Sequence, residues 1–166
     1  MKKLLYATLG LSLLFTFSCK KETCDNAYAL NFNEEGSCEY STMVSINSVS
    51  IVNYPSTNGQ GNPWPTEDVH VSITDGSFDT LFVSSTVPNS TSLPISWPIN
   101  PVVNFEVTGL TPLIFIDMYG SQSGAMEYVL INLHDYTNGG SESQKYPTSI
   151  LVEKSGYQFQ IGLTWI

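Results

Sequence analysis

Apolar and polar residues alternate with a period of two along most of the chain from residue 43 onward. That period is typical of strands with one buried face, and no segment shows a convincing helical period. Turns rich in Gly, Pro, Asn and Ser separate the stretches, so the pattern predicts an all-β, antiparallel, eight- to nine-stranded β-sandwich over residues 42–166. The predicted strands are Met43–Tyr54, Val69–Thr74, Leu81–Val83, Ile95–Trp97, Val103–Val107, Leu113–Met118, Tyr128–Leu133, Ile150–Val152 and Tyr157–Trp165.

The first eighteen residues have a different pattern. Lys2 and Lys3 precede the apolar run Leu4–Phe17, and the small residue Ser18 stands just before Cys19. A charged start, a short apolar run and a small residue are typical of a cleaved signal peptide, predicted here over residues 1–18. The run is shorter than the roughly 20 residues that cross a bilayer. An ordinary secretory signal and an N-terminal anchor helix are the alternatives.

The run Thr16-Phe17-Ser18-Cys19, followed by Lys-Lys-Glu, resembles the lipoprotein signals of the Bacteroidetes. Ser18 and Cys19 fit that pattern, whereas Thr16 and Phe17 depart from its strict form. The resemblance implies that Cys19 becomes the lipidated N-terminus, and a multiply acylated residue is a stable membrane anchor. Lys20 stands where an Asp would signal inner-membrane retention, so the resemblance implies the outer membrane. The leaflet is left open.

Residues 19–41 are predicted to form an acidic linker. In an oxidising compartment Cys24 and Cys38 are expected to form a disulfide, whose loop of about fifteen residues is worth roughly 3 kcal/mol. The segment resembles a short motif of Bacteroidetes surface proteins, matched at Ala29, Asn31, Asn33, Gly36, Cys38 and Tyr40. We interpret it as a stapled spacer. The alternative is a Ca²⁺ site with oxygen ligands from Asp25, Asn31, Asn33, Glu34 and Glu35.

The charge of the chain excludes one class of function. The formal net charge is −9, and there is no Arg in the sequence. From Cys19 onward the basic residues are Lys20, Lys21, Lys145 and Lys154. Nucleic-acid binding needs phosphate-neutralising cations, so no nucleic-acid partner is expected. Direct docking on anionic lipid headgroups is disfavoured for the same reason.

Two stretches of the β region resemble C2 domains, the eight-stranded calcium- and lipid-binding sandwiches. They are Glu67–Ile73 and Leu113–Val129. The resemblance implies a C2-like fold and places Asp68 at the aspartate of the family's first loop. Gly120 and Gln122 stand at acidic positions of its third loop, where Glu127 is the remaining acid. With Glu67, Asp68 and Glu127 as possible ligands, the implied site is depleted of carboxylates, so Ca²⁺ is possible but not required.

Candidate catalytic and contact residues are few. His70 and His134 are the two histidines, and no motif fixes a nucleophile or an oxyanion loop, so no catalytic residue and no enzymatic activity are expected. Trp64 lies in a loop rich in Gly, Pro and Asn. It is a possible contact for a sugar or a protein, or else a lid over the end of the sandwich.

We therefore expect a non-enzymatic cell-envelope lipoprotein whose sandwich binds a protein partner at the outer membrane. The loops Trp64–Asp68 and Gly120–Glu127 are the expected binding surface. The alternative is a Ca²⁺-dependent or carbohydrate-binding module that uses the same loops, and an envelope hydrolase has the least support.

Overall fold

The computed structural model describes residues 22–57, 67–88, 92–107 and 112–166. The predicted signal peptide, Cys19 and Trp64 lie outside these residues. The chain divides into two compact units, one reaching to Glu39 and the other beginning at Tyr40. Among the described residues, no helix has the length and apolar character needed to cross a membrane.

The described residues of the second unit form eight strands in two sheets. They are β1 (Met43–Asn53), β2 (Val69–Asp75), β3 (Thr80–Val83), β4 (Ile95–Glu106), β5 (Leu113–Gly120), β6 (Gly124–Asn132), β7 (Ser149–Lys154) and β8 (Tyr157–Trp165), with a 3₁₀ turn at Leu133–Tyr136. The first sheet has the order β4-β1-β8-β7 and the second β3-β2-β5-β6. Every pairing is antiparallel. The predicted antiparallel β-sandwich is confirmed.

Two predicted strands merge into β4. Pro98 and Pro101 separate the predicted stretches Ile95–Trp97 and Val103–Val107, yet a single strand runs from Ile95 to Glu106. Proline removes an N–H donor and is tolerated mainly on edge strands. Since β4 is an edge strand of the first sheet, its prolines do not end it, and the strand count is eight.

A β-bulge in β1 explains a break in its period of two. Ile46 and Val49 are both fully buried although they are three residues apart. The register with β4 and β8 shifts between Ile46 and Ser48, which returns the following residues to the inner face. Gly162 of β8 lies opposite the bulge, where a Cβ atom would collide with the side chains of Asn47 and Ser48. The glycine thus allows the bulge to pack.

The hydrophobic core lies between the two sheets and consists of the inward positions predicted by the alternation. Its largest fully buried side chains include Phe159, Ile161, Ile73, Ile116 and Met118. This core fixes which residues of each strand face outward.

The first unit is compact over its described residues 22–39. Cys24 and Cys38 form a disulfide, as predicted, with an S–S distance of 2.06 Å. The side chain of Asn31 joins two parts of the loop, since its Nδ2 donates to the carbonyl of Ser37 at 2.8 Å and its Oδ1 accepts from the N–H of Glu39 at 2.9 Å. Asn31 therefore supports the loop directly, and the interpretation of the segment as a stapled spacer stays a prediction.

Candidate functional site

Glu67, a predicted ligand position, is a buried residue that supports a turn. Its side chain is 3% exposed, and its carboxylate accepts hydrogen bonds from the N–H groups of Gln122 and Ser123, both at 3.1 Å, and from the hydroxyl of Ser123. Burial raises the pKa of this carboxyl, but the three hydrogen bonds outweigh burial and leave the pKa below its ordinary value. Glu67 thus holds the turn between β5 and β6.

The other two predicted ligands have partners of their own. Asp68 pairs through its backbone with Ser121, whose N–H donates to the Asp68 carbonyl at 3.0 Å. Glu127 lies within β6 and contacts the Lys154 ammonium at 2.9 Å. The segment expected to be a loop from Gly120 to Glu127 is a short turn, because β6 begins at Gly124.

The carboxylates of Glu67 and Glu127 therefore accept hydrogen bonds from different donors. Burial raises the pKa of Glu127, while hydrogen bonds from Tyr128 and Lys154 and the charge of Lys154 bring it below the ordinary value. Within the part of the chain that the structure describes, no three His, Cys, Asp or Glu side chains are grouped to hold a metal ion.

The two outer faces of the sandwich differ in chemistry. On the first sheet, polar side chains pair across neighbouring strands. Ser50 and Ser96 lie 2.8 Å apart, Gln158 donates to Glu153 at 2.8 Å, and Asn47 donates to Thr164 at 3.2 Å. Such pairs satisfy one another and water, and Leu151 and Val102 on the strands of this sheet are exposed beside them, at 57% and 45%.

The outer face of the second sheet is mainly aromatic and apolar. We call it the aromatic face, and it includes His70, Val83, Leu113, Phe115, Asp117, Tyr119, Tyr128 and Leu130. His70 stacks on Tyr119 with 5.2 Å between ring centroids. Tyr128 and Leu130 are about half exposed, at 49% and 50%. Large exposed apolar patches on soluble domains commonly mark interaction sites.

The turn between β2 and β3 adds Phe78 to this face. Asp75 Oδ1 accepts from the N–H groups of Ser77 and Asp79 at 2.8 and 2.9 Å, which closes the turn. Phe78 has a φ of +66°, in the left-handed region that a bulky residue rarely adopts. Its ring is 72% exposed and stacks on Phe115 at 5.1 Å. The turn thus holds an aromatic ring in a strained and exposed position.

These residues enclose a pocket of about 240 Å³ in the middle of the aromatic face. Its lining residues are Thr74, Phe78, Phe115, Asp117 and Tyr128. Strand pairing produces this grouping, because Phe115 lies opposite Thr74 and Asp117 lies opposite Tyr128. Burial raises the pKa of Asp117 above its ordinary value. No described residue donates a hydrogen bond to its carboxylate or pairs with its charge.

Lys154 lies beside the pocket without lining it. Its ammonium is 3.6 Å from the centroid of the Tyr128 ring, donates to the Tyr128 carbonyl at 3.0 Å and pairs with Glu127. Since Lys154 ends β7 and Tyr128 belongs to β6, this contact joins an edge strand of each sheet.

A second cavity of about 480 Å³ lies at one end of the sandwich and includes Tyr40, Thr137, His134 and Tyr146 in its lining. The backbone of His134 is used by the 3₁₀ turn, with its N–H donating to Asn132 and its carbonyl accepting from Thr137. The expectation that the chain is not an enzyme stays a prediction.

The sequence indicated which residues share a side of β5 and β6, which is one part of the aromatic face. The alternation in β5 and β6 set Phe115 and Asp117 opposite Ile114 and Ile116, and Tyr128 opposite Val129, without indicating which side faces the core. The alternation gave no reason to group these three residues with Phe78, because no sequence rule places a phenylalanine in the left-handed region of a turn.

Comparison with known proteins adds information on fold alone. No protein-family model matches the sequence, and no curated protein matches it either. A solved structure described as "Structure of a C2 domain" is similar, with a TM-score of 0.46 at 10% sequence identity over 75% of this chain and 97% of that chain. The strand pairings themselves define the class of fold, an eight-stranded antiparallel β-sandwich, and no residue role is transferred from this likeness.

Proposed function

We propose that this chain is a non-enzymatic lipoprotein of the cell envelope that binds a protein partner through its aromatic face. The observation that carries this proposal is the contrast between the two outer faces of the sandwich. The first sheet carries paired polar side chains beside the exposed Leu151 and Val102, whereas the second exposes Phe78, Tyr128 and Leu130 around a pocket. Neither a cofactor nor a nucleic acid is part of the proposal.

The composition of the aromatic face supports a protein partner. Aromatic residues are enriched at the centres of protein interfaces, where they bury a large area with few rotatable bonds. The Phe78–Phe115 stack and the tilted Phe115–Tyr128 pair, at 5.1 and 6.4 Å, form a continuous aromatic surface. This surface replaces the predicted loop end as the binding site, because Glu67 and Glu127 there are engaged within the chain.

The proposed location rests on the sequence of the N-terminus. The signal-like residues 1–18 and the Ser18–Cys19 pair support a lipid on Cys19, and Lys20 supports the outer membrane as the destination. Lipidation predicts that Cys19→Ala releases the protein from the membrane. Palmitate labelling and membrane fractionation of both forms test this, and a Cys19→Ala protein that stays with the membrane contradicts the anchor.

Site-specific photo-crosslinking in the native envelope tests the binding face. A photoreactive residue at Leu130 is expected to give one discrete adduct with a protein identifiable by mass spectrometry. The same residue at Gln160, exposed on the first sheet, serves as the matched control and is expected to give none. The complex should form again from the two purified proteins and be lost on Phe115→Ser. Adducts at Gln160 alone, or at neither position, would overturn the proposal.

A further inference from the structure

We propose that the pocket on the aromatic face receives a basic side chain, lysine or arginine, from the partner protein, with its charge beside Asp117 and its stem against Phe78, Phe115 and Tyr128. This inference rests on the proposed function, since it names the chemistry by which the aromatic face recognises its partner. It adds a ligand class and a charge-bearing residue that the sequence did not suggest.

The walls of the pocket favour a cation. Phe78, Phe115 and Tyr128 contribute aromatic rings, whose faces carry negative electrostatic potential. Asp117 adds a carboxylate to the same lining. An anionic group such as a phosphate would be repelled by both features, whereas an ammonium or guanidinium group would be attracted by both.

Asp117 is the residue that decides between a cation and a neutral ligand. Its carboxyl is partly withdrawn from water and has no hydrogen-bond or ion-pair partner among the described residues. Covering it with an apolar ligand would bury an unpaired charge, which is strongly unfavourable. A neutral sugar could use the hydroxyls of Thr74 and Tyr128 but would leave the charge of Asp117 without a counter-charge. A cation both pairs with the carboxylate and contacts the rings.

The chain already uses this chemistry next to the pocket. Lys154 places its ammonium 3.6 Å from the centroid of the Tyr128 ring and 2.9 Å from the Glu127 carboxylate. That combination of ring and carboxylate is repeated in the pocket by Phe115 and Asp117. Lys154 itself does not line the pocket, so the pocket has no described cation of its own.

Size and charge favour a side chain of a protein over a larger free ligand. The pocket has a volume of about 240 Å³, which is below the usual range of about 300–1,000 Å³ for sites that enclose whole small molecules. The end of one long side chain fits such a volume. The net charge of −9 also favours encounter with a basic partner surface, because complementary charge steers association.

Binding of side-chain analogues to the purified full-length protein tests the inference. The probes are n-butylammonium for lysine, propylguanidinium for arginine, n-butanol as the neutral match and glucose as a sugar. We expect one or both cations to bind with a dissociation constant on the order of 1–10 mM, and to shift the NMR amide signals of Phe115, Asp117 and Tyr128. Whichever cation binds tighter identifies the side chain.

Two variants make the test specific. Asp117→Asn keeps the size of the side chain and removes its charge, and it should weaken cation binding at least about tenfold, or 1.4 kcal/mol. Glu153→Gln removes the same charge from the first sheet, where Glu153 pairs with Gln158, and should change the affinity less than about twofold. Equal binding of n-butanol, tighter binding of glucose, or unchanged cation affinity in Asp117→Asn would each overturn the inference.

The outcomes of the two experiments are distinguishable. Partner crosslinking at Leu130 with no cation binding would leave the aromatic face as the interface and refute the basic side chain. Cation binding without any adduct at Leu130 would refute the protein partner and assign the pocket to a free organic cation.

Discussion

The buried carboxylate of Glu67 allows a quantitative test of how the β5–β6 turn is held. Glu67→Gln keeps the length of the side chain and one carbonyl-type acceptor but removes the charge. Three hydrogen bonds end on this carboxylate, two from backbone N–H groups and one from the Ser123 hydroxyl. Hydrogen bonds to a charged group are worth about 1 kcal/mol more than neutral ones.

Replacing three such bonds therefore costs roughly 3 kcal/mol, of which about 1 kcal/mol is recovered because a neutral amide is easier to bury. The expected loss in the free energy of unfolding is about 2 kcal/mol. For a domain of this size, 1 kcal/mol corresponds to a Tm shift of about 3–5 °C, so Tm should fall by about 6–10 °C. Glu142→Gln, which removes an exposed carboxylate, is the matched control and should change stability by less than about 0.5 kcal/mol.

The pH dependence gives this prediction a second readout. The folded-state pKa of Glu67 is lowered, so its stabilising contribution is complete above its ordinary value of 4.5 and is lost as pH falls through the folded-state pKa. The difference in unfolding free energy between the native protein and Glu67→Gln, measured by urea denaturation, should therefore be full at pH 7 and shrink below about pH 4.5. A difference that is absent at pH 7, or constant with pH, would refute this role. So would a Tm rise with Ca²⁺ that Glu67→Gln abolishes, since Glu67 would then be a metal ligand.

Three further predictions follow from other contacts. Burial raises the folded-state pKa of Asp117, so its ionised carboxyl destabilises the fold at pH values above that pKa. In urea denaturation, Asp117→Asn should therefore be more stable than the native protein at pH 7, and the two should be equally stable below the ordinary pKa of 3.8. A less stable variant at pH 7 would contradict this. Lys154→Met should lower the free energy of unfolding by about 1 kcal/mol, since it removes a partly exposed ion pair and a cation–π contact between the sheets. An unchanged Tm would show that this contact adds no stability. Cys38→Ser should open the first unit, at a local cost of about 3 kcal/mol in unfolding free energy, and accelerate amide exchange at Asn33 and Glu39, whose N–H groups are bonded within the loop. Unchanged exchange would mean that the disulfide does not hold this loop.

The sequence was sufficient to predict the sandwich because most strands have one strongly apolar side. The alternation in Tyr157–Trp165 and Leu113–Met118 determines which side chains enter the core, and a shift by one residue would expose all of them. The bulge in β1 was not predicted, and its location opposite Gly162 follows only from the pairing of β1 with β8.

The candidate site was less predictable, because it depends on which strands are neighbours. The alternation set Asp117 opposite Ile116 in β5 but did not reveal that Thr74 and Tyr128 flank this part of the strand. Conversely, Glu67 was expected to face a ligand and instead holds the turn after β5. Its role required the contact with Ser123, fifty-six residues further along the chain.

Two departures from local rules coincide at the pocket, and this coincidence favours a functional origin. Phe78 holds a left-handed backbone conformation that costs a bulky residue of order 1 kcal/mol, and Asp117 keeps a partly buried carboxyl without a described partner. Either feature would be relieved by a single substitution, glycine at residue 78 or asparagine at residue 117. Sequences that specify a fold are generally consistent at every level, and exceptions concentrate where a protein binds or reacts. The turn that carries Phe78 and the strand that carries Asp117 bring both exceptions into one pocket, as expected for a site in which stability is given up for recognition.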